Sequence, residues 1–208
     1  MSTVSAPAPH WRVVWRRRVA KWARWLHIYS SMASFAIVFF FAATGITLNH
    51  AEWFVDQQRA SQSKGSIDRG WLKTGDGGVA KPAIVEYLTR THHLSGALAD
   101  FRVDDQQCSL SFKGPGYSAD VFIDRATGHY DLTEARLGVV AVLNDLHKGR
   151  DTGASWRLAI DVSAGLLVFI AMSGLVLLYF VHKHRVAGAL ALVAGAMLVY
   201  GVYRVFVP

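Results

Sequence analysis

Cysteine is almost missing from this chain of 208 residues: Cys108 is the only one. A lone thiol cannot staple its own domain. With no CxxC pair and no CxxCH run, the sequence offers neither a dithiol redox motif nor covalent haem attachment. Charge is scarce as well. Asp, Glu, Lys and Arg make up 18% of the residues, against about 25% in soluble domains. No acid precedes Glu52. Catalytic signatures are missing too: there is no HExxH and no serine triad pattern, which sets hydrolysis aside. No nucleic-acid motif accompanies the formal charge of +7, so that charge calls for no nucleic acid. No flavin or nicotinamide fold is evident. Thr152-Gly153-Ala154-Ser155 faintly resembles a covalent flavin attachment sequence, but its terminal Ser and the bulky Trp156 argue against it.

What the chain has instead is apolar length. Hydrophobic residues make up 52% of it, concentrated at 28–49, 158–181 and 186–207. At about 1.5 Å per residue each block spans roughly 33 Å or more, enough for a hydrocarbon core of about 30 Å. The first block runs too long and lacks a small-residue cleavage site, so it reads as a retained anchor rather than a signal sequence. Arg12, Arg16, Arg17, Arg18, Lys21 and Arg24 precede it, and Lys183 and Arg185 lie between the second and third blocks. The positive-inside bias puts both regions in the cytoplasm. The division is then a basic cytoplasmic N-terminus (1–27), a first membrane helix (28–50), an outer domain (51–154), a second membrane helix (155–181), a cytoplasmic turn (182–185) and a third membrane helix (186–207). Trp22 and Trp25 on one face, and Trp53, Trp71 and Trp156 on the other, suit the aromatic belts.

Residues 51–154 hold 12 basic and 14 acidic side chains, near neutrality. Residues 57–78, rich in Ser, Gly, Gln and Asp, read as an irregular loop. Residues 81–93 read as a helix with Pro82 in its first turn. Strands follow at 99–103, 108–113 and 117–123. Gly114-Pro115-Gly116 turns the last two, Cys108, Leu110 and Phe112 alternate with Ser109 and Ser111, and Tyr130 extends a further strand. The result is a small α+β domain with Cys108 packed inside the sheet. His92, His93 and His129 read as surface residues. Residues 136–148 form an amphipathic helix that delivers His147 to the membrane surface.

The histidines are the chemical signal. His27 opens the first apolar block and His50 closes it. His147 stands before the second block, and His182 and His184 end it. Neutral imidazole is a good axial ligand for haem iron. The plain alternative for each is an interface anchor or helix cap, strongest for His10 and His184. His27 and His50 lie about 34 Å apart along a straight helix, so one haem at a single face competes with two haems. Asp161 sits four residues after Arg157, so it either pairs with that arginine at helical spacing or contacts a ligand or the His147 site, the ion pair being the favoured reading. Gly45, Gly165 and Gly174 give small surfaces for close helix packing.

Trp25-Leu26-His27, the run from Thr44 to His50, the run from Leu146 to Gly153, and Trp156 together resemble the PepSY-associated transmembrane family, most closely its small three-helix branch. The resemblance covers nearly the whole chain after the first twenty residues. It implies a bacterial inner-membrane protein with a periplasmic PepSY-like α+β module, linked to iron, siderophore or haem uptake. Larger members of the family are similar to b-type cytochromes that reduce ferric siderophores. Carried over, His27, His50, His147 and His182 become ligands of haem b, one or two per chain. His50 then pairs with His147 at the periplasmic face and His27 with His182 at the cytoplasmic face. Lys148 and Arg150 stand ready for the haem propionates. Electrons would come from a donor outside the chain and pass to a periplasmic ferric substrate or redox protein. Membrane lipid is a partner, and a homodimer sharing haems is a further expectation. The alternative is a non-enzymatic binding or assembly subunit of a metal-uptake system.

Overall fold

The computed structural model describes residues 10–73, 78–181 and 184–208. Among the described residues three helices are long and apolar enough to cross a membrane: α1 (His10–Asn49), α4 (Gly153–Phe180) and α5 (Arg185–Phe206). The protein is a multi-pass membrane protein. The basic segment expected ahead of the first span is itself helical, continuous with it from His10. No Pro or Gly interrupts residues 10–44, so nothing in the sequence breaks the i to i−4 ladder there.

The chain falls into two compact units, residues 38–160 and residues 1–37 with 161–208. In the first, five antiparallel strands form one sheet in the order β1-β5-β4-β3-β2. They are β1 (Arg59–Ser66), β2 (Ala97–Val103), β3 (Gln107–Gly114), β4 (Tyr117–Asp124) and β5 (His129–Arg136). Alternation builds the core. Leu110 and Phe112 of β3, Val121 and Ile123 of β4, and Leu132 of β5 are buried on one face. α2 (Lys81–His92) covers that face with Ile84 and Leu88, four residues apart on one side. Each such side chain contributes about 1.5–3 kcal/mol by leaving water. Cys108 is fully buried in this core, as its place in β3 predicts.

Three differences from the sequence reading stand out. Residues 59–66 are a strand, not loop. Ser and Gly have low strand propensity, but an edge strand needs only its backbone, and β1 pairs residue for residue with β5 from Arg59↔Arg136 to Ser66↔His129. Residue 136 belongs to β5, and α3 begins at Gly138 and runs to Lys148. Trp71 packs against the domain core and the ring of Tyr87, which takes it out of the aromatic belt.

The β3–β4 hairpin fixes α3. Gly116 has φ +65°, the left-handed conformation that a Pro-Gly turn requires. A Cβ there would meet Val142 of α3. Gly116 N–H donates to Asp145 Oδ2 at 2.8 Å, and its carbonyl accepts from Leu137 N–H. α3 ends in a left-handed cap at Gly149.

Candidate functional site

α3 meets α1 through two residues three apart, which share one side of the helix. Asn144 and His147 face Thr47 and Thr44, also three apart, so the two helices interlock antiparallel. Thr47 Oγ1 lies 2.6 Å from Asn144 Oδ1. Thr44 Oγ1 lies 2.6 Å from His147 Nδ1. Asn144 and Thr44 are both buried. The His147 and Phe41 rings meet edge to face, with centroids 4.9 Å apart.

The protons of this contact can be assigned. Thr44 Oγ1 is 2.6 Å from the Phe40 carbonyl and donates to it, a bond back into its own helix. Only lone pairs remain for His147, so Nδ1 carries the hydrogen and donates. When the ring is neutral, Nε2 is then its bare nitrogen.

His27 repeats the arrangement in the other unit. Its Nδ1 is 2.8 Å from Ser173 Oγ on α4. Ser173 Oγ donates to the Ile170 carbonyl at 2.8 Å, so His27 Nδ1 is likewise left to donate, and Nε2 is bare when the ring is neutral. Gly174, next to Ser173, makes room for the ring: a Cβ there would stand 3.2 Å from His27 Cε1. Each histidine is thus received by a hydroxyl–glycine pair, Ser173-Gly174 for His27 and Thr44-Gly45 for His147. Thr44 and Ser173 are contact residues that histidine placement alone does not single out.

The remaining expected residues are placed differently. His50 lies just past α1, stacked on Trp53 with centroids 4.1 Å apart and planes 5° apart. Its Nδ1 is 3.3 Å from Glu52 Oε1. The backbone of Glu52 and then His50 hold that carboxyl below the usual range. No hydrogen bond or ring contact joins His50 to His147 among the described residues. His147 sits beside Thr44, six residues or about 9 Å of helix short of His50. His27 sits beside Ser173, seven residues before the end of α4 at Phe180, so it enters the helix interface rather than the helix end. His182 lies outside the described residues. Lys148 and Arg150 are exposed on either side of the Gly149 cap. His92 bonds through Nε2 to Tyr130 Oη at 2.8 Å, His93 caps α2 in the left-handed conformation, and His129 is exposed. Asp161 is exposed, with no ion pair among the described residues.

Such imidazoles can do one of two things. A neutral ring anchored at Nδ1 can offer Nε2 to a metal or a proton, the anchoring bond fixing tautomer and ring plane. It can equally serve as a clamp between helices. Among the described residues no three His, Cys, Asp or Glu side chains gather as a metal-binding group. A family model described as Putative PepSY_TM-like matches residues 21–208. No curated protein and no solved structure matches the chain.

Proposed function

The chain belongs to the PepSY_TM-like family, and on that premise we propose that it is a b-type haem protein of the bacterial inner membrane. In this reading it passes electrons to a ferric, siderophore-like substrate or a redox partner in the periplasm. One observation carries the proposal: in separate units, His27 Nδ1 and His147 Nδ1 lie 2.8 and 2.6 Å from hydroxyls that also bond to helix carbonyls, so that each neutral ring would donate through Nδ1 and offer Nε2. This is the donor chemistry of an axial imidazole, with Nε2 open and Nδ1–H held by a neighbouring acceptor.

The residues fit that role at the level of donor type. His147 and His50 would supply the outer ligand set, His27 and His182 the inner one, for one haem or two. Thr44 and Ser173 orient the rings. Lys148 and Arg150, exposed cations beside His147, suit the carboxylates of a porphyrin. Haem iron, when bound, supplies a one-electron couple whose potential follows from its ligands and burial. The electron donor lies outside the chain.

A second reading is favoured by Asn144 and Thr47. They repeat the His147–Thr44 contact one turn along with no ligand chemistry in it, as a purely structural clamp would. The chain is then a non-enzymatic PepSY-type binding or assembly subunit of a metal-uptake system.

The test is redox spectroscopy of the full chain, expressed with ample haem and purified. The haem reading expects a low-spin spectrum that changes with dithionite. His27→Ala and His147→Ala should each lower haem content, and Lys148→Ala should leave most of the colour. A folded protein that stays colourless, or histidine variants with unchanged haem content, would overturn the reading in favour of the clamp.

A further inference from the structure

The N-terminal part of α1 has two unlike sides. At about 100° per residue, Val13, Arg16, Arg17 and Ala20 fall on one side, together with His27, the residue that meets α4. Trp15, Trp22, Trp25 and Tyr29 fall on the opposite side. The last turn of α4 brings Phe180 to the first side, and these five residues, Val13, Arg16, Arg17, Ala20 and Phe180, line a cleft of about 290 Å³. We propose that this cleft binds the headgroup of an anionic phospholipid, with Arg16 and Arg17 on the phosphate and Val13, Ala20 and Phe180 against the glycerol and first acyl carbons.

Three observations carry this. The first is charge. α1 contains no Asp or Glu anywhere along its 40 residues, so the charge that this helix brings to the cleft is positive. Arginine forks match phosphate oxygens in pairs, and their aliphatic stems tolerate apolar walls.

The second is depth. Phe180 ends the apolar run of α4, so the cleft lies where hydrocarbon gives way to water. An anion bound there has polar solvent on one side and acyl chains on the other, which suits a phospholipid and leaves a fully hydrated ion with apolar walls to desolvate against.

The third is the opposite side of the helix. Trp15, Trp22 and Tyr29 are 64%, 63% and 60% exposed. The Trp22, Trp25 and Tyr29 rings touch in series, at 5.8 Å and then 4.9 Å between centroids. Amphipathic aromatic rings settle at the headgroup level. This length of α1 therefore carries a lipid-interface signature on its outward side and a paired-arginine cleft on its inward side. Basic residues placed there gain from anionic lipid at a membrane surface.

Native mass spectrometry of the full chain in detergent tests the proposal, with phosphatidylglycerol and phosphatidylcholine as probes. One phosphatidylglycerol should stay bound under activation that strips phosphatidylcholine. Arg16→Gln with Arg17→Gln should weaken its retention at least about tenfold. Arg18→Gln with Lys21→Gln removes the same charge from the other sides of the helix and should leave retention unchanged. Phe180→Ala keeps every charge and should also weaken retention, which preserves the test if the double arginine variant fails to fold. Equal losses in both double variants, equal retention of the two lipids, or displacement of phosphatidylglycerol by millimolar inorganic phosphate would each overturn the proposal. The last outcome would assign the cleft to a free anion.

Discussion

Asp145 of α3 accepts the backbone N–H of Gly116, at the tip of the β3–β4 hairpin, 2.8 Å from its Oδ2. The residue before it, Asn144, faces α1. One turn of α3 therefore holds the sheet on one side and a membrane helix on the other. Asp145→Ala leaves the Gly116 N–H without its charged acceptor and should cost about 1–3 kcal/mol. Gly116→Ala adds the strain of φ +65° and a Cβ 2.5 Å from Val142 Cγ2, so it should cost at least as much. Urea unfolding followed by far-UV circular dichroism measures both. A change below about 0.5 kcal/mol in Asp145→Ala would show that water takes over the bond.

The two glycines beside the histidines should respond differently to a methyl group. At Gly45 a Cβ would stand 4.0 Å from His147 Cε1, ordinary contact. At Gly174 it would stand 3.2 Å from His27 Cε1, close enough that the ring must shift. Alanine gains up to about 1 kcal/mol over glycine in a helix interior. Gly45→Ala should therefore hold or raise the melting temperature in detergent, and Gly174→Ala should fall below it. The reverse order would show that His27 is not packed as described.

Thr44→Val removes the acceptor from His147 at nearly constant volume. The Nδ1–H then lacks its partner, and the tautomer is no longer fixed. Nitrogen-15 NMR of histidine-labelled protein should show one Nδ1–H ring becoming a mixture of tautomers, with stability lowered by about 1–3 kcal/mol. An unchanged nitrogen spectrum would mean that Thr44 does not set the His147 tautomer.

Alkaline pH should loosen the sheet domain. Burial pushes the Cys108 thiol up from its ordinary 9.0, and burial also raises the Tyr117 and Tyr130 hydroxyls above 10.0. Each group holds its proton longer folded than unfolded. Its stabilising contribution is complete below the unfolded value and is lost as pH climbs through the folded one. Denaturation midpoints should stay flat through neutral pH and decline above about pH 9. Cys108→Ala should remove the earliest part of that decline. A thiol reagent should label Cys108 only on unfolding, and rapid labelling of the native protein would contradict its burial.

How much was legible in the sequence depended on whether the deciding contact was local. The apolar blocks, α2, β3 and β4 follow from spacing alone, since Cys108, Leu110 and Phe112 announce a half-buried strand without reference to anything distant. β1 was hidden because Arg59 to Ser66 carries almost no apolar signal, and its strand character comes from β5, seventy residues on. Trp71 fits an aromatic belt by type and packs against a domain core by position. His27 and His147 could be singled out by residue type, but Ser173 and Thr44, their partners, are 146 and 103 residues away. In the sequence those hydroxyls are two more small polar residues in apolar helices.

Those separations also set an order of assembly. α1 is synthesised long before the residues that complete its contacts. At about 5–20 residues per second, the 103 residues from Thr44 to His147 take roughly 5–20 s. Through that interval α1 waits in the bilayer without them. It can do so because its hydroxyls are satisfied within the helix: Thr44 donates to Phe40, Ser34 to Ser31 and Thr47 to Thr44. The self-bonded threonine that later orients His147 first lets this part of a newly inserted helix sit in lipid without a bare hydroxyl proton, leaving lone pairs that exact little from the membrane until α3 arrives.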